Sequence, residues 1–162
     1  MRKLNTYWTT KSERETIYEA LRIDTNDLIK NGWQYLDSGI SMDGYRKENI
    51  VVKILHPREI GRRDTYLHMR FYCSVPKHFR KYFARVYAVS SDRVVQRYAE
   101  NTVEVWTEEM IAKAEEVIDK ICYRRKIFPD KDIWTGTPSQ NIGVIDGTPV
   151  FYDFGEESFG YY

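Results

Sequence analysis

Apolar positions along this chain recur at two periods. Ile17, Ala20, Leu21 and Leu28 keep a rough helical spacing, and Ser12 to Glu15 has the S-x-x-E spacing of a capping box. Asp24-Thr25 marks a break and the restart of a second short helix. Asn31-Gly32 is a stop, because glycine tolerates the left-handed C-cap. Residues 33–37 then read as a short strand and 38–44 as turn chemistry. Residues 49–55 form a stronger strand, since Ile50, Val51, Val52, Ile54 and Leu55 are mostly β-branched. His56-Pro57 ends it.

Residues 65–75 alternate. Leu67, Met69, Phe71, Cys73 and Val75 fall on one face, with Tyr66, His68, Arg70, Tyr72 and Ser74 on the other. Period two predicts a strand with an apolar core face and a polar, aromatic row. Pro76 then suits the first turn of a helix carrying Phe79, Tyr82, Phe83 and Val86. Residues 85–89 are open between a continuation of that helix and a strand. In the second case Ser90-Ser91-Asp92 caps a new helix through Tyr98. Residues 102–106 read as a strand. Thr107 caps the longest helix, from Glu108 to about Lys126, with Glu108 and Glu109 in its first turn and Arg124, Arg125 and Lys126 in its last. Trp106 and Ile111 occupy the positions of a hydrophobic staple. Its buried stripe is Ile111, Ala114, Ile118, Ile121 and Cys122. Glu109 with Lys113, and Glu116 with Lys120, are favourably ordered pairs. Residues 144–151 read as a hairpin around Asp146-Gly147, with Pro149 demoting its second strand to an edge.

Adjacent strands with short turns, followed by helices, predict an α+β fold: a mainly antiparallel sheet with helices on one side and one long helix in the C-terminal half. Residues 1–162 are expected to form one domain, with 1–11 and 155–162 loosely ordered.

Composition narrows the class. Hydrophobic residues make up 42%, aromatic 15% and charged 30%, which suits a globular chain with bulky core material. Formal net charge is +1, so a nucleic-acid role must rest on local asymmetry. Cys73 and Cys122 stand far apart with no metal spacing, predicting two buried thiols in a reducing cytoplasm. The N-terminus has no apolar stretch of the signal-peptide kind, and no segment has the apolar length of a membrane span. The expectation is therefore a cytoplasmic protein without a membrane role.

The candidate chemistry lies between Tyr66 and Tyr98, where seven cations face one acid, Asp92, and aromatics are threaded between them. Cations neutralise phosphates and aromatic faces stack on unpaired bases. The same groups suit an acidic protein face, with tyrosine and arginine as anchors. The binding candidates are Arg70, Tyr72, Lys77, Arg80, Lys81, Tyr82, Arg85 and Tyr87. The ordinary alternative is that the phenylalanines are core and the cations coat a solvated helix. A second candidate is the row His68, Arg70, Tyr72, with about 7 Å between successive members on a strand. Metal-independent ribonucleases use such groups, a histidine for proton transfer and an arginine for the charged transition state. His56 or His78 could join. Here the ordinary reading is a hydrogen-bonded histidine under a helix. There is no G-x-x-x-x-G-K-S/T, G-x-G-x-x-G, G-x-S-x-G or H-E-x-x-H, so no metal site and no cofactor is expected.

Gly32-Trp33, Asp37-Ser38, Tyr45 and the strand from Ile50 to His56 resemble, in order, a stretch of small Cas9-inhibiting anti-CRISPR proteins from phages of Gram-positive hosts. In that family a G-W-Y turn precedes a strand ending near a histidine, and a long charged helix follows. The likeness covers about a quarter of the chain. The family's Arg- and Lys-rich N-terminus is missing, since residues 1–11 hold only Arg2, Lys3 and Lys11, and residues 66–98 have no counterpart. No inhibitory residue is carried over. The resemblance implies a compact phage or mobile-element protein that works by binding, in a bacterial host cytoplasm. The expectation is thus a non-enzymatic inhibitor of a nucleic-acid-handling machine. Its partner is a protein, a nuclease or nucleoprotein complex, with direct nucleic-acid contact or a metal-independent ribonuclease as alternatives. Reversing Arg80 and Lys81 to Glu is expected to abolish binding at an unchanged melting temperature.

Overall fold

The computed structural model describes residues 3–4, 9–39, 41–102, 106–120 and 141–154. Their fold is α+β. They group into two compact units, residues 1–69 with 85–98, and residues 70–84 with 99–162.

The first unit is a six-stranded sheet with a helix on one face. Its strands are β1 (Lys3–Leu4), β2 (Gln34–Ser38), β3 (Met42–Lys47), β4 (Ile50–Leu55), β5 (Val86–Val89) and β6 (Arg93–Arg97), in the order β1-β5-β6-β4-β3-β2, all antiparallel. The central ladder pairs Val52 with Tyr45 on one side and Val95 on the other. Helix α1 (Lys11–Ala20) lays Ile17 and Ala20 on that face. With Leu28, Trp33, Ile50, Val52, Ile54, Tyr87, Ala88 and Val95 they form the core. On the strands, Ile50, Val52, Ile54 and Val95 are β-branched, a side-chain type that fits a pleated, half-covered surface.

The start of α1 lies two residues earlier than the S-x-x-E spacing predicts. Thr10 and Glu13, not Ser12 and Glu15, form the capping box: Thr10 N donates to Glu13 Oε2 at 2.7 Å, and Glu13 N to Thr10 Oγ1 at 3.1 Å. Short 3-10 turns at Thr25–Asp27 and Ile29–Asn31 follow, and Gly32 ends them at φ 82°, as the Asn-Gly stop predicts. Strands β2 and β4 lie where the pattern placed them. The 38–44 segment is tighter than expected, because β3 begins within it at Met42.

The alternation over 65–75 misleads. These residues form helix α2 (Tyr66–Ser74), which begins in the first unit and ends in the second. Tyr66 N donates to Asp64 Oδ1 at 3.0 Å, so Asp64 supplies the start signal. His68, Phe71, Tyr72 and Val75 are buried at helical spacing, a stripe that includes two members of the supposed polar row. Proline at 76 stops the helix, since the residue before proline avoids the α region. The expected helix beyond Pro76 is only a 3-10 turn, Arg80–Tyr82. The strand alternative for 85–89 holds, as β5. The helix expected after Ser90-Ser91-Asp92 is instead β6, with that triplet as the turn: Ser90 N donates to Arg93 O at 2.9 Å. Val94 and Val95 extend the ladder, and neighbouring strands outweigh the capping signal.

The second unit contains helix α3 (Glu108–Ile118) and the hairpin of β7 (Ile142–Ile145) and β8 (Thr148–Phe151). Thr107 caps α3 as predicted, accepting from Met110 N at 3.2 Å. Ala114 and Val117 are buried and Ile111 half-buried. Helix α3 therefore turns Val117 inward as well as the expected Ala114. The expected last turns of that helix, with Ile121 and Cys122, lie outside the described residues. So does the centre of the strand expected at 102–106. Glu116 and Lys120 pair at 2.8 Å, as their spacing predicts, whereas Lys113 Nζ reaches Gly147 O at 3.2 Å. Asp146 and Gly147 both have positive φ, 49° and 69°, as the two-residue turn requires. Glu100 brackets the hairpin on the β7 side by exchanging both backbone bonds with Val144, and Phe83 brackets it on the β8 side. The core is aromatic. Phe83 lies 5.6 Å from Phe71, 5.3 Å from Phe151 and 5.7 Å from Phe154, ring to ring.

Candidate functional site

The predicted basic-aromatic residues separate by structural use. In the second unit, α2 leaves open C-terminal carbonyls, as any helix does. Arg80 takes them: its Nε donates to Val75 O at 2.9 Å and its Nη2 to Cys73 O at 2.6 Å. A cation also suits the negative end of the helix dipole. Arg80 is therefore a structural clamp that folds residues 76–80 back on the helix. The expectation that Arg80 can be reversed without cost is corrected on this ground.

Arg70, Lys77, His78 and Lys81 are exposed. The clamp gathers Lys77, His78 and Lys81 near the end of α2, with Arg70 one helical turn before Cys73-Ser74. Several of these groups rest on rings. Lys81 Nζ lies 4.9 Å from the Tyr82 centroid, and the His78 ring is 4.1 Å from that of Phe79. Arg80 lies 5.8 Å from the Tyr72 ring. Tyr72 is itself only 8% exposed, and Tyr82 is half-buried. In the first unit, Arg85 sits 5.3 Å over Tyr87, which is 3% exposed and belongs to the core. Tyr72 and Tyr87 thus face inward and cannot serve as the surface anchors predicted of them. What stays on the surface is cationic.

The row His68, Arg70, Tyr72 does not exist as a row. On a helix, positions 68 and 72 share a face and 70 turns about 200° away. His68 is 7% exposed and Arg70 is exposed, so the two cannot flank one phosphate from one surface. The burial follows the helical stripe that the alternation concealed. Cys73, expected buried, is exposed for the same reason.

Arg93, another cation of the segment, is buried. Its Nη1 donates to Ala20 O at 2.9 Å and Ile23 O at 2.7 Å, closing the end of α1. Its Nε meets Asp92 Oδ2 at 3.1 Å. Burial pushes the Asp92 carboxyl up. The hydrogen bonds from Ser90 and Arg93, together with the Arg93 charge, outweigh that and hold it below the ordinary aspartate value.

One constellation had no signal in the sequence. Ladder pairing places Asp43 of β3 between Ser38 of β2 and Ile54 near the end of β4. His56 Nε2 lies 3.3 Å from Ser38 Oγ and 3.2 Å from Asp43 Oδ1. Serine, histidine and aspartate suggest a nucleophile relay, but that chemistry needs serine and carboxylate on opposite ring nitrogens. Here both share Nε2, so a proton on it goes to the carboxylate and leaves no base for the hydroxyl. The cluster ties three strand ends together. Among the described residues no group of histidine, cysteine and carboxylate side chains could hold a metal ion. No helix among them is long and apolar enough to cross a membrane.

Comparison with protein-family models, curated proteins and solved structures finds no match to this chain. The functional reading therefore rests on the residues themselves.

Proposed function

We propose that this is a non-enzymatic binding protein of phage or mobile-element type that blocks a nucleic-acid-handling machine, in its concrete form an anti-CRISPR-like inhibitor of a Cas nuclease. One observation carries the reading: between Asp64 and Asp92 the chain has no acid, and Arg70, Lys77, His78 and Lys81 stand exposed within that run. Such a surface suits a partner face rich in carboxylates or phosphates. The aromatic rings nearby are buried or already lie against a cation or His78, which favours charge pairing over base stacking. Net charge of +1 favours local docking on a protein over long-range attraction to a polyanion. The partner in this reading is a nuclease or nucleoprotein complex.

The test uses Arg70→Glu, Lys77→Glu and Lys81→Glu together, leaving Arg80 in place. Pull-down from a bacterial lysate, with and without nuclease treatment, should capture a protein that the triple variant loses while its melting temperature holds. Capture that vanishes on nuclease treatment and falls steeply with salt would replace the reading by direct nucleic-acid binding. Cleavage of RNA in EDTA that His68→Ala abolishes would replace it by a nuclease. Capture unchanged in the triple variant would remove the basic surface from the function.

A further inference from the structure

We infer, resting on the docking proposed for Lys77 and Lys81, that His78 makes that docking pH-dependent: a carboxylate-rich partner binds more tightly as pH falls through the range in which histidine takes up a proton. His78 lies between the two lysines in the chain and is exposed, as they are. Its ring is 4.1 Å from that of Phe79, and Phe79 is only 7% exposed, which anchors the imidazole on the segment. Among the described residues neither ring nitrogen has a hydrogen-bond or ion-pair partner, so both can meet an incoming group. The other two histidines are placed differently. His56 Nε2 meets Ser38 and Asp43, and His68 is buried.

The surroundings set the sign. The charged groups on the same segment are Lys77, Arg80 and Lys81, with Tyr82 as its other titratable group. Helix α2, against which the segment folds, adds Arg70. Its remaining titratable groups are Tyr66, His68, Tyr72 and Cys73, none of them an acid that is charged at neutral pH. Strand β8 packs against the Arg80–Tyr82 turn and carries no charged residue. The free protein therefore offers an imidazolium at position 78 no counter-charge among its described residues. A docked carboxylate supplies one, and a nearby opposite charge favours the charged form. Docking thus takes up protons, and by linkage its affinity rises as pH falls. Histidine changes charge between about pH 5 and 8, whereas lysine and arginine keep theirs. One exposed charge pair corresponds to about twofold to fivefold in affinity.

The test titrates the full chain with fluorescently labelled poly-aspartate at low salt, between about pH 8 and about pH 6, where the probe's carboxylates stay ionised. The binding constant of the parent should rise about twofold to fivefold over that range. His78→Gln should lose the rise, and His78→Arg should bind at the upper pH as tightly as the parent does at the lower. Nuclear magnetic resonance gives a readout in the unaltered protein: the His78 imidazole should titrate at higher pH with poly-aspartate than without it. A rise that survives in His78→Gln, or a His78 titration indifferent to poly-aspartate, overturns the inference and leaves the docking surface standing. Arg70→Glu, Lys77→Glu and Lys81→Glu together separate the two: undiminished binding by that variant overturns the surface itself, as does a parent that does not bind poly-aspartate. Tighter binding of a single-stranded oligonucleotide of equal charge would overturn the carboxylate partner.

Discussion

The sheet unit and the hairpin unit solve the same burial problem with different material. In the first, Ile50, Val52, Ile54 and Val95 are held by a ladder in which β4 is paired on both sides. Each of these residues lies on a strand whose backbone hydrogen bonds fix its position in the ladder. In the second, the hairpin is narrow and the core is a cluster of rings, with Phe83 placed against Phe71, Phe151 and Phe154. Register in the second unit depends on those rings and on the isolated bridges at Phe83 and Glu100. A ladder tolerates the loss of one side chain better than a cluster tolerates the loss of its hub.

The largest expected effect tests that contrast. Phe83→Ala should cost about 3–5 kcal/mol, as for a buried aromatic deleted from a packed core, with amide protection lost first in β7 and β8. The contrast fails if β4 loses protection to the same degree. Arg93→Ala comes next, at about 3 kcal/mol, because Ala20 O and Ile23 O lose their donor and Asp92 loses its cation. Chemical denaturation measures it. The same pair gives the sheet unit an acid-sensitive contribution. The native Asp92 carboxyl titrates below its unfolded value, so its contribution is present above about pH 3.9 and is lost as pH falls through the native value. Asp92→Asn should flatten that part of the acid limb. Gly143→Ala should cost about 1–3 kcal/mol by thermal melting, since a Cβ there would lie 2.8 Å from Glu100 O and 2.9 Å from Ala99 Cβ. The smallest effect is a gain. Glu48 sits at φ 54° in the β3–β4 turn, and Glu48→Gly should raise stability by up to about 1 kcal/mol.

The particular residues show where sequence reading succeeds. Gly32, the Asp146-Gly147 turn and the Thr107 cap were legible because each acts through its own backbone conformation or a hydrogen bond three residues away. Strand β4 was legible because its run is β-branched and bounded by Pro57. Residues 65–75 were misread because they satisfy both periods. Leu67, Met69, Phe71, Cys73 and Val75 alternate, while His68, Phe71, Tyr72 and Val75 also step at three and four. The missed discriminant was Asp64, a start signal two residues before Tyr66.

The candidate site followed the same division. An acid-free cationic run is a property of composition, so its existence was readable. Which cations remain available is a property of packing. Arg80 clamps a helix end, Arg93 closes another, and Tyr72 and Tyr87 turn into the interior. The uses of the two arginines have no sequence signal, since their acceptors are backbone carbonyls, up to 73 residues away. The Ser38–His56–Asp43 cluster likewise exists only because the β2–β3–β4 register brings the three strand ends together. Sequence alone determined the α+β class, the Gly32 and Asp146-Gly147 turns, the Thr107 cap and the local excess of positive charge; the turns, the cap and the charge excess act over a few residues. Tertiary structure decided the period of 65–75, the partners of the arginines and the open edge at β2, because those depend on which distant backbone and side-chain groups the fold places beside them.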